Sequence, residues 1–195
     1  MIAELLKKSL EHKASDIILS SGNYPAFKIS GDIIYLENSE KLDATTLEKD
    51  IFDIIPERHK EEFRKNHELD FSLDIPGYSR FRVNGFRQKW GFWVVFRVIP
   101  SEVPKFDTLK LPEVVKSFSH RKSGLVLITG WVWSGKSTTL ASLIREINKS
   151  YKKHIITVED PIEYVHVSEK SLIEQREIGE TTLSFENGLK YALRQ

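Results

Sequence analysis

The apolar residues near the start of the chain recur at helical spacing. Four of them would lie on one face of a helix over residues 2–12, which is therefore predicted to be amphipathic. They are Ile2, Leu5, Leu6 and Leu10. A second helix is predicted from similar spacing before Pro56, a residue that ends or bends a helix. Its apolar residues are Leu47, Ile51, Ile54 and Ile55.

Between and after these helices the pattern becomes that of extended chain. D-I-I-L-S at 16–20 predicts a short strand, and F-K-I-S-G-D-I-I-Y-L at 27–36 predicts a hairpin about a Gly-Asp turn. Apolar and polar residues alternate over 69–75, and F-R-V-N-G-F-R and W-V-V-F-R-V-I continue the extended pattern. The first half of the chain is therefore predicted to be a half-buried antiparallel sheet with helices on one face.

The second half follows a different pattern, beginning after two prolines, Pro100 and Pro104, that predict a stiff linker. G-L-V-L-I-T at 124–129 is apolar on both faces, as is typical of a buried parallel strand. A glycine-bearing loop, a helix and a second buried strand, H-I-I-T-V at 154–158, follow it and predict a βαβ unit. The helix stripe consists of Leu140, Leu143, Ile144 and Ile147.

Composition narrows the class of protein. The chain has 195 residues, 40% of them hydrophobic, and 29 Lys and Arg against 28 Asp and Glu, so its net charge of +1 does not predict nucleic-acid binding. It has no cysteine, which excludes disulfides, thiolate metal sites and thiol nucleophiles. No apolar run reaches the roughly 18 residues that a membrane span needs, so we expect a cytoplasmic protein. The six histidines show no metal-ligand spacing.

The loop between strand and helix has the pattern G-x-x-x-x-G-K-S/T, in which backbone N–H groups hold phosphates, Lys136 pairs with the outer two and the Ser137 hydroxyl binds Mg²⁺. Chance produces this pattern in roughly one chain in a hundred of this size. Its place between a predicted strand and a predicted helix favours phosphate binding. The predicted nucleotide-binding residues are Gly130, Ser134, Gly135, Lys136, Ser137 and Thr138.

Two tryptophans stand in that loop. A bulky side chain at Trp133 would be strained if the position needs φ > 0 or close approach to a phosphate, whereas Trp131 could point outward.

An acidic cluster, Glu159, Asp160 and Glu163, follows the second predicted strand of this half. Carboxylates at that edge of an α/β sheet could hold Mg²⁺ or orient the water that attacks a terminal phosphate. Spacing alone leaves equal weight for a solvated turn closed by Pro161, and the phosphate loop shifts the balance toward function.

Longer stretches resemble one family. The chain resembles the retraction (twitching-motility) ATPases of type IV pili in stretches of both halves. In the second half these are L-V-L-I-T-G, S-G-K-S-T-T-L-A, H-I-I-T-V-E-D-P-I-E-Y-V-H, Q-R-E-I-G and A-L-R. In the first half they are A-S-D-I, R-F-R-V-N and V-F-R-V-I-P. The retraction ATPases belong to the type II/IV secretion ATPases. The resemblance covers essentially the whole chain, and the early A-S-D-I favours the retraction type over the assembly type.

The resemblance implies an α/β fold in two domains, a PAS-like α+β domain over 1–100 and a RecA-like P-loop core over 112–195, joined by a linker over 101–111. It implies ATP and Mg²⁺ as cofactors, ATP lying between the domains, a homohexamer, and peripheral docking on a platform protein of the inner membrane. The implied function is ATP hydrolysis that drives pilus disassembly.

The resemblance also implies residue roles. Lys136 and Ser137 match the phosphate loop, Glu159, Asp160 and Glu163 match the acidic box with Glu163 as general base, and three arginines match basic positions that approach nucleotide. The arginines are Arg80, Arg82 and Arg97. Alternation about Phe81 places Arg80 and Arg82 on one exposed strand face, where they could equally serve only to solvate the sheet.

Two departures from the family are expected to matter. The chain ends where the family continues into a second acidic motif, so we expect an incomplete Mg²⁺ site and poor ATP turnover by this chain alone. All four tryptophans lie in two stretches that are glycine-rich in the family, Q-K-W-G-F-W-V-V-F-R and G-W-V-W-S-G-K-S. One hypothesis is that their codons are UGA read as glycine; the rival is a decaying gene.

Two alternatives to an active retraction motor stay open. One is a catalytically inactive nucleotide-binding or ring-interface fragment of the same family. The other is a small-molecule phosphotransferase, which would lack the N-terminal sheet carrying R-F-R-V-N.

Overall fold

A computed structural model describes residues 1–75, 78–100, 102–132 and 134–194. The chain divides into two compact units, Met1–Ile99 and Pro100–Gln195, and each is described by itself.

The first unit is a six-stranded antiparallel sheet with three helices, in the strand order β3-β2-β1-β6-β5-β4. The predicted sheet, the first helix and the hairpin are confirmed. The elements are α1 (Ile2–Glu11), β1 (Asp16–Ser20), β2 (Ala26–Ile29), β3 (Asp32–Tyr35), α2 (Ala44–Ile54), α3 (Glu57–Asn66), β4 (Glu68–Ile75), β5 (Ser79–Gln88) and β6 (Gly91–Ile99).

One core joins the three helices to one face of this sheet. Leu6 of α1, Ile51 of α2 and Phe63 of α3 are buried with alternate residues of the central strands, such as Phe81 and Phe96. Because side chains alternate between the faces of a strand, the residues between them point to the opposite face of the sheet. That opposite face carries Arg80 and Arg82 of β5 and Arg97 of β6.

Helix α3 was not predicted from the sequence. In E-R-H-K-E-E-F-R-K-N only His59 and Phe63 are buried, so the apolar stripe is too thin to show a helical period. Tertiary contacts stabilise it: the Phe63 ring packs edge-on against Phe92, with ring centroids 4.9 Å apart, and against Phe52 at 5.7 Å.

The second unit contains a two-stranded parallel sheet, three α-helices and two short 3₁₀ turns, Phe106–Leu109 and Phe118–His120. The predicted helix after the glycine loop and the strand at 154–158 are both present. The elements are α4 (Glu113–Ser117), α5 (Lys136–Ser150), β7 (His154–Glu159), β8 (Leu172–Glu177) and α6 (Phe185–Ala192). None of the described helices is long and apolar enough to cross a membrane.

The predicted strand at 124–129 is wrong. The segment forms no regular secondary structure, and Leu125 and Leu127 are 82% and 75% exposed. A strand needs a neighbour to bond its backbone, and within the described part of this unit β7 pairs with β8 alone. The βαβ unit predicted around the loop is therefore not formed, and β7 itself is half-buried where a buried strand was predicted.

The segment predicted to be a linker packs along α5 where the structure describes it. Val103 and Phe106 are buried, the Arg145 guanidinium donates to the Val103 carbonyl, and the Ser142 hydroxyl donates to the Pro104 carbonyl at 3.2 Å. These contacts hold residues 103–106 against the helix that follows the glycine loop.

Candidate functional site

The backbone conformation of the loop before α5 explains why glycine stands at two of its positions. Gly135 caps the helix with φ +86°, in the left-handed region that favours glycine. Gly130 has φ +158°, and a Cβ there would lie 2.5 Å from the Ser134 hydroxyl oxygen, so a larger residue would strain the backbone and displace the Ser134 side chain. Both positions therefore require glycine, as the motif predicts.

Lys136 is drawn into the bend of this loop. Its ammonium group donates to the carbonyl oxygens of Gly130 at 2.9 Å and Trp131 at 2.7 Å. The first intrahelical bond of α5 runs from the Thr139 amide to the Gly135 carbonyl, so the amides before it point out of the helix end. A cation and the positive end of a helix dipole thus meet at this loop, an arrangement that attracts phosphate oxygens.

Trp131 does not fill the loop, because its side chain is 90% exposed, and the expectation that it points outward is confirmed. Trp133 lies outside the described residues. Ser137, the residue predicted to bind Mg²⁺, is exposed at the first turn of α5.

The acidic cluster begins at the last residue of β7, as predicted. The Glu159 carboxylate accepts hydrogen bonds from the Thr157 hydroxyl at 2.6 Å, the Gln175 amide at 3.1 Å and the Glu163 amide at 3.4 Å. Glu159 is therefore an anchor that holds its own loop closed. Asp160 and Glu163 are exposed, so their carboxylates are accessible from solvent.

The loop after β7 that carries Asp160 and Glu163, here called the acidic loop, contacts the start of α5 through Tyr164. Its hydroxyl lies 3.1 Å from the Thr138 hydroxyl, in the first turn of α5. The two groups of residues predicted independently from the sequence are thus brought together by a residue that was not singled out. No periodic signal marks Tyr164, because its role depends on a contact between residues 26 positions apart.

Burial lowers the pKa of His166, in the same loop, below its ordinary value, and the nearby Glu159 carboxylate opposes this effect. The imidazole is therefore neutral at physiological pH.

The three candidate arginines lie together on the face of the first unit's sheet that is opposite the helices. Arg82 and Arg97 are cross-strand neighbours, and Arg80 is two residues from Arg82, so the prediction that Arg80 and Arg82 share a face is confirmed. The predicted exposure does not hold for Arg80, whose side chain is only 16% exposed. Each pairs with a carboxylate. Arg82 Nε and Nη2 contact Asp70 at 3.1 and 2.8 Å, Arg97 Nε contacts Asp16 at 2.8 Å, and Arg80 Nη1 contacts Asp74 at 3.1 Å.

The comparison with known families covers the whole chain. The model of the type II/IV secretion system protein family matches residues 1–195. The chain is 43% identical over 194 residues to the type IV pilus retraction ATPase PilT of Pseudomonas aeruginosa, covering all of this chain and 56% of that protein. It is 40% identical to a twitching motility protein of Neisseria gonorrhoeae, covering 94% of this chain and 50% of the relative.

Two solved structures superpose on nearly the whole of this chain. The crystal structure of the pilus retraction motor PilT with bound ADP superposes with a TM-score of 0.95 at 43% identity, over all of this chain and 57% of that one. The Legionella pneumophila ATPase DotB superposes with a TM-score of 0.80 at 28% identity, over 99% of this chain and 55% of that one. This chain thus spans about half the length of these relatives. The resemblance found in the motifs is confirmed, and the chain belongs to the type II/IV secretion system protein family.

Proposed function

We propose that this protein is a motor subunit of type IV pilus retraction, a P-loop ATPase that hydrolyses ATP to drive pilus disassembly. The observation that carries the proposal is the Lys136 ammonium group, held 2.9 and 2.7 Å from two carbonyls of the glycine loop at the start of α5. Relatives named as a pilus retraction ATPase and a twitching motility protein support the biological role.

The residues present suit ATP and Mg²⁺. Lys136 and the first amides of α5 would hold phosphate oxygens, with Ser134 and Thr138 flanking them, and Ser137 would bind the metal. Gly135 has φ +86° and nothing within 4 Å of where a Cβ would lie, which fits a loop that must leave room for a ligand beside its backbone. When bound, ATP supplies the phosphoryl group and Mg²⁺ neutralises its charge.

The three acidic residues at the end of β7 would have different roles. Glu163 is exposed, and its carboxylate would accept the proton of an attacking water molecule as general base. Asp160 would add negative charge beside the metal. Glu159 has its oxygens engaged by Thr157, Gln175 and the Glu163 amide, so it would act by holding the loop.

The larger assembly is part of the same proposal. The first unit would be a PAS-like domain over 1–100 and the second a RecA-like core over 112–195, and Arg80, Arg82 and Arg97 would approach nucleotide. Six copies would form a ring that docks on a platform protein at the inner membrane.

Nucleotide binding tests the loop. Lys136→Ala is expected to weaken binding of a fluorescent ATP analogue with Mg²⁺ by about tenfold to a hundredfold, because a charge-assisted bond to phosphate is lost. Lys149→Ala, at the exposed end of the same helix, is the matched control and should bind like the parent. Equal binding by the parent and Lys136→Ala would contradict the proposal.

Turnover tests the acidic loop. Glu163→Gln is expected to lower kcat by about a hundredfold while leaving analogue binding unchanged, since it removes the base and not the phosphate contacts. Glu169→Gln, an exposed residue further along the same connection, is the control.

A second candidate is nucleotide binding without hydrolysis, as a ring-interface subunit. The exposure of Leu125 and Leu127 favours it, because the segment leading into the glycine loop is not anchored in a sheet. Analogue binding without phosphate release, together with co-assembly with a full-length homologue, would support this candidate.

A further inference from the structure

Strand β8 presents two polar side chains to the acidic loop. Gln175 and Glu177 are two residues apart and therefore share one face, on which their parallel neighbours in β7 are Thr157 and Glu159. Glu177 is 2% exposed although it carries a carboxylate, and Gln175 is half-buried. Buried polar groups need hydrogen-bond partners, and both side chains find theirs in the loop after β7.

The Gln175 side chain uses its donors and its acceptor at once. Its Nε2 donates to Glu159 Oε1 at 3.1 Å and to the Tyr164 carbonyl at 2.8 Å, and its Oε1 accepts from the His166 amide at 2.7 Å. The two acceptors must face the NH₂ group, so the partners fix the amide in one orientation. Only a side chain with donor and acceptor placed as in glutamine satisfies all three.

Glu177 holds the other end of the same loop. Its Oε2 accepts from the Ile162 amide at 2.9 Å. The backbone is thus fixed on both sides of Glu163, while the Glu163 amide bonds to Glu159 and the Tyr164 hydroxyl meets Thr138. The position of the exposed Glu163 carboxylate therefore depends on two side chains of β8.

We propose that Gln175 is a positioning residue that sets the Glu159 carboxylate and the acidic loop in the arrangement used for ATP hydrolysis. This inference rests on the function proposed above and names no contact between Gln175 and nucleotide. Its consequence is that Gln175 acts through Glu159 and Tyr164 on kcat, and leaves the grip of the glycine loop on nucleotide intact.

Three variants of the full chain test it. Gln175→Met keeps the volume and loses all three hydrogen bonds; Gln175→Glu keeps the shape but sets a carboxylate against Glu159 and the Tyr164 carbonyl. Glu174→Gln, on the opposite face of β8, is the control. The thermal midpoints of all variants are measured first, to show that each variant folds. Gln175→Met is expected to fold like the parent, because methionine has nearly the same shape as glutamine and preserves the packing.

Hydrogen exchange followed by NMR, without nucleotide, reads the loop directly. In Gln175→Met the His166 amide is expected to exchange about tenfold faster, while the Ile162 amide, held by Glu177, changes less than about twofold. Unchanged exchange at His166 would overturn the proposal.

Steady-state ATP hydrolysis measures the expected effect of Gln175 on kcat. Gln175→Met is expected to lower kcat by about tenfold to a hundredfold with the KM for ATP within about twofold of the parent. Gln175→Glu should lose more kcat than Gln175→Met at neutral pH, because its carboxylate would face Glu159 and the Tyr164 carbonyl and could donate to neither. A full kcat in Gln175→Met, or a loss confined to KM, would overturn the proposal. If the parent itself neither binds nor hydrolyses ATP, the proposed function fails, and the exchange pattern alone decides whether Gln175 positions the loop.

Discussion

At the residue scale, the tryptophans that the structure describes occupy positions where a large ring is accommodated. Trp131 is 90% exposed and Trp90 69% exposed, while Trp93 stacks on Phe86 with ring centroids 4.5 Å apart. None of these three has positive φ, so the backbone does not require glycine there. The hypothesis that UGA codons place glycine at the four positions thus stays a prediction, to be decided by peptide masses from the source organism.

Replacement by glycine is expected to have unequal effects at two of these positions. Trp93→Gly removes a stacked pair and puts glycine in the interior of a strand, so the free energy of unfolding should fall by about 2 kcal/mol. Trp131→Gly should change it by less than about 0.5 kcal/mol, because an exposed ring contributes little. Urea unfolding followed by circular dichroism measures both. Equal effects would contradict the described packing of Trp93.

At the element scale, the sheet of the first unit followed from alternation, whereas the contacts that hold α3 did not. His59 of α3 stacks on Phe71 of β4, with ring centroids 4.3 Å apart and planes inclined by 22°. Burial lowers the pKa of His59 below its ordinary value; a hydrogen bond to Glu62 opposes this and the charge of Arg58 adds to it. A helix that periodicity does not predict is thus joined to the sheet by a neutral histidine.

The stability of the first unit should therefore depend on pH. Because the native pKa of His59 is lowered, the unfolded chain binds protons first as pH falls through about 6.5, and the stability present above that pH is lost. We expect the urea midpoint to fall between about pH 7.5 and about pH 5.5. His59→Phe keeps a ring against Phe71 and should reduce this dependence, whereas the control His154→Gln, in the second unit, should not. If the urea midpoint of His59→Phe fell with pH as steeply as that of the parent, His59 would not be the source of the pH dependence.

At the scale of the whole molecule, the two units differ in how completely they bury their apolar residues. The main hydrophobic core lies entirely within Met1–Ile99. In the second unit several leucines are largely exposed, among them Leu125 at 82%, Leu183 at 85% and Leu193 at 88%. Since burial of apolar surface is the main driving force of folding, the first unit has the more complete basis for independent stability.

A fragment of residues 1–99 is expected to fold alone and to unfold in one cooperative transition, because all members of its core are retained. Dispersed amide signals in a ¹H–¹⁵N spectrum and a single urea transition would show this. A fragment of residues 100–195 is the comparison, and it should bind a hydrophobic dye more strongly because its leucines are exposed. Collapsed signals from the 1–99 fragment would contradict the separation into units.

The sequence by itself determined helices α1, α2 and α5, the alternating sheet of the first unit, the glycine loop with Lys136, the acidic cluster at the end of β7, and the family. Helix stripes, strand alternation and motif spacing are local properties of the chain. Tertiary structure alone decided which strand pairs with β7 and left Leu125 and Leu127 exposed. It also decided the pairing of Arg82 with Asp70, of Tyr164 with Thr138, and of Gln175 with Glu159. These contacts join residues distant along the chain, and strand register and packing set them rather than any pattern within one segment.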